Sequence, residues 1–469
     1  MLRLLPWLVA VAFFMESLDT TILNTAVRTI SAALDVAPLS MKAVLASYTL
    51  SLAVFIPISG WMADRFGTRR VFAAAIGFFT LGSCLCGLST NIHTLIACRI
   101  LQGCGGAMMV PVGRLTLVRA FPKAELLRIM SFVALPALVA PMLGPVAGGL
   151  IVDYLHWRII FFLNIPVGLA GLVLVYLHLP DYRREQVPAL DLVGLILFGA
   201  GIALLSYVLE IFGEHALSSA QTAGLLILSL LLLLGYALHA RTLSTPLLQL
   251  KLLNIRTFRA AVGGSFFTRI GVGGVPFLLP MLYQVGMGFT AVQSGLLVMP
   301  QALAAMSVKL CMPRLLMQLG YRHVLIANTL LLGLLLLVFA TIGMRTPVWL
   351  IVLQAFAYGA LTSLQYTSVN TLVYADISDE DTSAAGSIAS TMQQMSISFG
   401  VAASGLATVV FVPSSQDDPH GMIRGIHDAL TALGVLTLAS TVVFLGLRSG
   451  DGDDVSQHKI AQQPVTESP

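Results

Sequence analysis

The chain is a succession of long apolar stretches separated by short polar breaks. From Leu4 to Leu447 these stretches recur at the length of roughly 20 residues that an α-helix needs to cross a bilayer. Barrel strands would instead alternate polar and apolar positions over about 10 residues. The pattern predicts an all-α membrane protein with fourteen transmembrane helices, at 5–27, 41–63, 71–90, 92–113, 128–152, 158–179, 189–211, 219–239, 259–284, 291–313, 322–343, 347–372, 384–411 and 425–447.

Composition excludes a water-soluble fold. Of 469 residues, 57% are hydrophobic and only 10% are charged, whereas a soluble domain carries about 25% charged residues. No metal site or disulfide framework is predicted, because all five cysteines lie within apolar stretches. A nucleotide-binding glycine loop is also absent from the sequence, so neither an enzyme nor a cofactor is expected.

The basic residues predict the orientation of the helices. An even number of spans places both termini on one side of the membrane. The loops on that side contain about 18 of the 26 Lys and Arg residues, and the opposite loops contain about five. Since positively charged loops stay in the cytoplasm, we expect both termini to be cytoplasmic. The basic residues lie at helix ends and form no single patch, so nucleic acid is not an expected partner.

A weak internal repeat predicts the domain organisation. GWMADRFGTRRVF, between spans 2 and 3, is echoed by PRLLMQLGYRHVL between spans 10 and 11, with Gly67 matching Gly320 and Arg69 matching Arg322. Paired bundles with a site between them are typical of transporters. The repeat predicts an N-terminal six-helix bundle at 1–180, two linking helices at 181–256, a C-terminal six-helix bundle at 257–448 and a disordered cytoplasmic tail at 449–469.

Three charged side chains fall near the middle of apolar spans. Asp19 lies in span 1 with Glu16 three residues earlier on nearly the same face, and Arg99 lies in span 4. A charge at the bilayer centre costs roughly 2.5–3.5 kcal/mol, so such groups are protonated, paired or facing water. The pattern predicts that Asp19, Glu16 and Arg99 couple proton exchange to helix movement. The alternative is a static hydrogen bond or ion pair that only holds the helices together.

The connection between spans 2 and 3 combines glycines, an acid and several arginines. Gly60 is expected to allow close helix approach, and Gly67 to adopt a conformation that other residues resist. The segment is interpreted as a cytoplasmic latch, although its arginines alone are equally typical of orientation signals. The predicted latch residues are Gly60, Asp64, Arg65, Gly67, Arg69 and Arg70.

Span 5 contains the sequence APMLGPVAGGLIVD. Proline removes a backbone hydrogen bond and glycine admits a neighbouring backbone, so a bent and closely packed helix is expected. The residues concerned are Gly144, Pro145, Gly148 and Gly149. A loosely packed kink without a functional role is the alternative.

Polar and flexible side chains within the spans are candidates for contact with a small-molecule substrate. Arg269 lies in span 9, the counterpart of span 1, where a guanidinium could meet anionic groups. The other candidates are Asn24, Gln102, Met108 and Gln393. Ordinary helix packing is the alternative for each of them.

These motifs together resemble one family. LDTTILNTA at 18–26, GWMADRFGTRR, RILQGCGGA around Arg99 and LGPVAGG at 143–149 resemble the signatures of major facilitator superfamily drug:proton antiporters of the fourteen-span type. Two positions depart from the pattern, because Ala140 replaces a frequent glycine and Glu16 stands where close relatives are expected to carry glutamine.

The resemblance implies the major facilitator fold and alternating access, with Asp19 and Arg99 in proton coupling and the span-5 motif limiting leak. It implies an inner-membrane exporter of small amphipathic molecules, active as a monomer among membrane lipids and driven by the proton gradient. An exporter of one endogenous metabolite, siderophore or lipid-like solute is the alternative.

Overall fold

The computed structural model describes residues 4–121, 123–183, 187, 189–211, 218–243, 245–378, 381–411, 419–448 and 450–452. Within these ranges the chain is helical and contains no β-strand. The helices are α1 (Leu5–Ala33), α2 (Met41–Phe66), α3 (Thr68–Leu88), α4 (Ile92–Ala120), α5 (Lys123–Tyr154), α6 (Ile159–Phe162), α7 (Asn164–His178), α8 (Leu192–Ile211), α9 (Ser219–Thr242), α10 (Arg256–Gly273), α11 (Val275–Met281), α12 (Ala291–Phe339), α13 (Val348–Leu372), α14 (Thr382–Phe411) and α15 (Pro419–Leu445).

The helices coincide with the predicted spans. Twelve helical stretches in the described residues are long and apolar enough to cross a membrane. The two remaining predicted spans fall on α5 and α14, which have 32 and 30 residues. A helix of 30 residues is about 45 Å long, more than the hydrocarbon core requires. The predicted all-α membrane fold is therefore confirmed.

Four predicted spans differ from single, separate helices. Span 6 is divided into α6 and α7, and span 9 continues from α10 through α11 into a π-turn at Leu282–Gly286. Spans 10 and 11 are the two legs of α12, which are separated at Gly320. Prolines inside α11 and at its start account for the break in span 9, since proline interrupts the backbone ladder.

The two echoed loops share an unusual backbone conformation. Gly67 has φ 95° and ψ 144°, and Gly320 has φ 71° and ψ 162°. These left-handed angles favour glycine, because any side chain would crowd the backbone. The shared geometry supports the repeat proposed from the sequence.

A chain segment packs on each of these glycine turns. Asp181 and Arg183 lie where a side chain on Gly67 would project, and Tyr321, next to Gly320, contacts Gly452. Residues 450–452 form a turn in which Asp451 is buried. The prediction of a disordered tail from residue 449 is therefore wrong for these three residues, because an ion pair and the Tyr321 contact fix them. Residues 449 and 453–469 lie outside the described residues.

We call α1 to α7 the N-half and α10 to α15 the C-half. Large aromatic side chains such as Phe72 and Phe79 fill the core of the N-half, and Phe258 and Phe444 are buried in the C-half. Helix α8 packs against α2 of one half and α14 of the other, and α9 packs against α8. Only 17% of the residues in the apolar stretch of α9 are buried, so this helix faces the lipid.

Candidate functional site

Asp19 is the centre of a hydrogen-bond network inside the N-half. Its Oδ2 accepts a hydrogen bond of 2.5 Å from Arg99 Nη1, and its Oδ1 accepts from Gln102 Nε2 at 2.8 Å and from Asn164 Nδ2 at 3.0 Å. Asn164 also donates to Ser83 Oγ at 2.9 Å. The network joins α1, α3, α4 and α7, and three donors converge on the two carboxyl oxygens of Asp19.

The network is dry. Asp19 and Arg99 are each only 1% exposed. The guanidinium carbon of Arg99 lies 4.2 Å from the ring centroid of Tyr48, a cation–π contact. Arg99 Nε is buried and has no acceptor among the described residues. Breaking this pair would leave Arg99 charged in a desolvated site, so the arrangement is costly to open and well suited to a two-state switch.

Glu16 is placed differently from Asp19. It lies about one turn closer to the predicted cytoplasmic end of α1 and is half-buried. Within the described part of the chain its carboxylate accepts no hydrogen bond and forms no ion pair, and the nearby Thr20 hydroxyl donates to the Glu16 backbone carbonyl. Glu16 therefore lies outside the Asp19–Arg99 pair.

Glycines in the RILQGCGGA motif bring α4 close to its neighbours. A Cβ placed on Gly103 would lie 2.8 Å from the carbonyl oxygen of Tyr48, and one on Gly106 would lie 2.6 Å from the Tyr48 hydroxyl. A Cβ placed on Gly82 of α3 would lie 2.7 Å from the backbone nitrogen of Gln102. Such approaches are possible only without side chains, so the glycines set the helix spacing that places Arg99 against Asp19.

The span-5 motif seals α5 against two other helices. A Cβ on Gly148 would lie 2.3 Å from the carbonyl oxygen of Ile22 in α1, and one on Gly149 would lie 2.6 Å from the carbonyl oxygen of Ala291 in α12. Gly144 likewise faces Thr21, and Pro145 packs against Gly295 of α12. The predicted close packing is observed, and it joins the N-half to the C-half.

Hydrogen bonds reinforce this seal near the predicted outer ends of the helices. Thr25 Oγ1 donates to the carbonyl oxygen of Pro145 at 3.1 Å. Gln284, in the π-turn, donates to the Thr25 carbonyl at 3.0 Å, while Arg28 donates to the Gln284 carbonyl at 2.9 Å. The helix that carries Asp19 and Glu16 therefore also carries the contacts that hold the two halves together.

The glycine turn between α2 and α3 is held by polar contacts. Asp64, at the end of α2, pairs with Arg119 at the end of α4. Asp181 Oδ1 accepts a hydrogen bond of 3.1 Å from the Arg69 amide. Arg65 and Arg70 are exposed. The expected close approach at Gly60 is wrong, because Gly60 is exposed and a Cβ there would meet no described atom within 4 Å.

Arg269 is a buried cation without a carboxylate partner among the described residues. Its guanidinium carbon lies 3.5 Å from the ring centroid of Tyr366 in α13. Its Nε donates to Ser265 Oγ at 3.0 Å, and its two terminal nitrogens bond to no described residue. Both terminal nitrogens of the planar guanidinium therefore remain as hydrogen-bond donors for an anionic group.

The other predicted substrate residues are scattered. Gln393 and Ser265 line a cleft of only about 10 Å³, room for a single water molecule. Asn24 and Met108 are half-buried on α1 and α4. Gln102 is fully buried and its amide bonds to both Asp19 and Arg99, so its assignment as a substrate contact is corrected to a residue that orders the ion pair.

Sequence reasoning missed Asn164, Ser83, Tyr48 and Tyr366. Asn164 stands alone in the apolar run FFLNIPVG, and such an intramembrane amide is a signal that it has a partner. Tyr48 and Tyr366 gave no comparable signal, since an aromatic residue in an apolar helix is usually part of the packing.

Comparison with known proteins gives a consistent result. The family model of the Major Facilitator Superfamily matches residues 9–401. The chain is 42% identical over 400 residues to "Putative multidrug resistance protein MdtD" of Serratia proteamaculans, covering 85% of this chain and 84% of that one. It is also 42% identical over 405 residues to the protein of the same name from Escherichia coli K12, with 86% of each chain covered.

Solved structures share the fold at low sequence identity. A D-xylose–proton symporter aligns with a TM-score of 0.67 at 14% identity, covering 95% of this chain and 98% of that one. A POT family transporter in complex with 5-aminolevulinic acid aligns with a TM-score of 0.65 at 13% identity, covering 94% and 95%. The family match spans most of the chain, and the relatives it resembles are transporters and not enzymes, so this chain belongs to the Major Facilitator Superfamily and is a multi-pass membrane transporter.

Proposed function

We propose that the chain is a proton-coupled exporter of small amphipathic molecules that works by alternating access. The observation that carries this proposal is the dry Asp19–Arg99 pair with the unpaired Glu16 one turn away. Each proton that moves inward through 100 mV supplies about 2.3 kcal/mol, enough to drive export of a second solute. The names of the 42%-identical relatives agree with multidrug export.

The proposed proton route begins at Glu16. This carboxyl is half-buried and unpaired within the described residues, so it takes up a proton without loss of an ion pair. Protonation of Asp19 follows only when Arg99 is released. A neutral Asp19 keeps one carbonyl oxygen for Gln102 and Asn164 but no longer holds the guanidinium by charge.

Helix α1 links that exchange to the seal between the halves. Thr25 is six residues beyond Asp19, about 9 Å along the helix axis. A change in how α1 packs on α4 and α7 would therefore be transmitted by a rigid helix to the contacts of Thr25 and Arg28 with Pro145 and Gln284. Release of these contacts would separate the outer ends and let the solute leave.

The remaining parts of the proposal follow from the charge pattern and the repeat. They are location in the inner membrane with both termini in the cytoplasm, bundles at 1–180 and 257–448 joined by linking helices at 181–256, and function as a monomer. No cofactor other than the proton gradient is required. The partners are the solute, protons and surrounding lipids.

Proteoliposomes test the proposal directly. We expect ethidium, an amphipathic cation, to drive proton movement in vesicles of the wild-type protein, as read by a trapped pH-sensitive dye. Asp19→Asn should abolish this movement, and Asp428→Asn, which removes an exposed carboxylate from α15, should preserve it. Proton movement in Asp19→Asn equal to that of the wild type would refute the mechanism.

The lone guanidinium of Arg269 favours a second candidate, export of an organic anion made by the cell. Its two free terminal nitrogens suit a carboxylate, and stacking on Tyr366 fixes their plane. Metabolite profiling of spent medium would test this candidate. A deletion strain should lack one acidic compound, which wild-type but not Arg269→Ala protein restores. Restoration by Arg269→Ala would exclude it.

A further inference from the structure

A second cavity lies away from the centre of the transporter, at the predicted cytoplasmic end of α9. Its volume is about 530 Å³, and it is enclosed by the last turn of α9 and by the segment 245–254, which we call the strap. The strap ends in a 3₁₀ helix at Leu250–Asn254 and leads into α10. The cavity is large enough for a polar head group and the upper parts of its chains.

The strap is anchored by residues that do not line this cavity. Leu248 donates its amide to the Tyr236 hydroxyl at 2.8 Å. Asp191 accepts from the Leu247 amide at 3.1 Å and from His239 Nε2 at 2.8 Å. Partial burial would raise the pKa of Asp191, but its hydrogen bonds from His239, Gly194 and Leu247 hold that pKa below the usual value. The strap is therefore held in place by hydrogen bonds to Tyr236 of α9 and to Asp191 next to α8.

The polar lining of the cavity fits an anion that also carries a hydroxyl group. Arg241 is exposed and forms no ion pair among the described residues, and the exposed Lys251 makes one long contact of 3.9 Å to the half-buried Asp381. Gln249 Oε1 is buried and has no hydrogen-bond donor within the described chain. Two cations are suited to a phosphate, and a hydroxyl group on the ligand would supply the donor that the Gln249 amide oxygen lacks.

The apolar surroundings indicate that the anion belongs to a lipid. Ala237, Ala240, Leu250 and Leu253 line the cavity beside the two cations. The neighbouring face of α9 exposes Leu231, Leu234 and Leu238 to the bilayer. Basic pockets between helices at the cytoplasmic surface bind anionic lipid head groups, and a soluble anion would gain nothing from this apolar rim.

We infer that this cavity binds an anionic phospholipid of the cytoplasmic leaflet with a glycerol head group, such as phosphatidylglycerol. The phosphate lies between Arg241 and Lys251, a head-group hydroxyl donates to Gln249 Oε1, and the acyl chains follow the leucine face of α9. Phosphatidylethanolamine fits less well, since its ammonium would lie beside two cations. The lipid would fix the strap that connects the linking helices to the C-half.

Native mass spectrometry of the full-length protein, titrated with defined lipids in detergent, tests the assignment. We expect one phosphatidylglycerol to bind the wild type with an affinity about 30-fold higher than it binds Arg241→Ala/Lys251→Ala. Each surface cation contributes about fivefold to the affinity for an anionic lipid, and two cations are removed. The swap Arg241→Lys/Lys251→Arg should keep the lipid. The matched control Arg314→Ala/Arg322→Ala removes two cations from the same predicted face and should change affinity less than about threefold.

Two further comparisons decide the identity of the ligand. Gln249→Leu should lose the preference for phosphatidylglycerol over phosphatidic acid, which lacks the head-group hydroxyl. Soluble glycerophosphoglycerol should not displace the lipid at equal concentration. An unchanged affinity in Arg241→Ala/Lys251→Ala, an equal loss in the control pair, or displacement by the soluble head group would each overturn the lipid site.

Discussion

The centres of the N-half and the C-half carry buried arginines in opposite circumstances. Arg99 pairs with Asp19 and is surrounded by amides and Tyr48, whereas Arg269 stacks on Tyr366 and has no carboxylate among the described residues. The first guanidinium has a carboxylate partner within the protein, and the second leaves terminal nitrogens for a ligand. Under the proposed function, the difference corresponds to a division of labour, with proton exchange in the N-half and solute recognition in the C-half.

The largest loss of stability is expected when Asp19 is removed from its pair with Arg99 in the N-half. Asp19→Asn leaves Arg99 buried and charged, and removing one partner of a buried pair costs about 3–5 kcal/mol. Arg99→Gln should cost less, because an unpaired Asp19 can take up a proton and become neutral while arginine cannot. Thermal unfolding in detergent measures both changes.

The control for this prediction is the double variant Asp19→Asn/Arg99→Gln, which removes both charges together. It should be more stable than Asp19→Asn alone, since no buried charge remains unpaired. Losses in the two single variants that add up to the loss in the double variant would show that the pair is not a coupled unit and would remove the basis of the comparison.

The C-half side of the comparison is tested at Arg269. If it binds a carboxylate, Arg269→Ala should raise KM for an acidic solute by about 10- to 100-fold, the equivalent of one charge-assisted hydrogen bond. Proton movement driven by ethidium should persist, because the Asp19 network lies in the other half. Arg269→Lys should be intermediate, since lysine keeps the charge but lacks the planar fork. A loss of proton movement in Arg269→Ala would contradict the division of labour.

The seal that joins the two halves is tested with glycine substitutions. Gly149→Ala places a Cβ 2.6 Å from the Ala291 carbonyl oxygen, so the outer ends of α5 and α12 cannot pack as observed. Overpacking of this kind costs about 1–3 kcal/mol. Spin labels at the exposed positions Leu155 and Leu296, in a cysteine-free background, should report a longer distance between these ends.

Gly60→Ala is the matched control, because a Cβ at that exposed position meets no described atom within 4 Å. It should leave the label distance unchanged and stabilise the helix slightly, as alanine restricts the unfolded chain. If Gly149→Ala and Gly60→Ala behave alike, the span-5 motif does not form the seal.

The sequence predicts the fold well because the spacing of apolar stretches is dictated by bilayer thickness. It also predicts that Arg99 needs an acidic partner, since intramembrane charges are costly, but it leaves Asp19 and Glu16 as alternatives, and only the structure identifies Asp19. The prediction that Gln102 contacts the substrate overlooks its position three residues after Arg99, which places both side chains on one face of α4. The open space at Gly60 and the stacking of Arg269 on Tyr366 depend on tertiary packing, which no local pattern encodes.

The smallest effect on stability is expected at the two glycine turns, which differ in the contacts that hold the chain segment packed on each of them. In the N-half, Asp181 accepts the Arg69 amide, and in the C-half, Asp451 pairs with Arg256 through two hydrogen bonds, one of them 3.0 Å long. Burial would raise the pKa of Asp451, but the hydrogen bonds and charges of Arg256 and Arg448 hold that pKa below its usual value. Its contribution is therefore fully present above the unfolded pKa of about 3.9 and is lost as pH falls through the lower folded pKa.

Asp451→Asn should therefore lower the melting temperature at pH 7 by about 1–2 °C, because a partly exposed ion pair contributes little. The difference from the wild type should be the same at pH 5 and should vanish in stronger acid, where Asp451 itself is protonated. Asp181→Asn is the matched variant in the N-half, and its change should be smaller, since its carboxylate mainly accepts a backbone amide and has a longer contact of 3.4 Å to Arg183. If Asp181→Asn instead lowers the melting temperature more than Asp451→Asn does, the segment that packs on the Gly67 turn is held more tightly than the turn at 450–452 that packs next to Gly320.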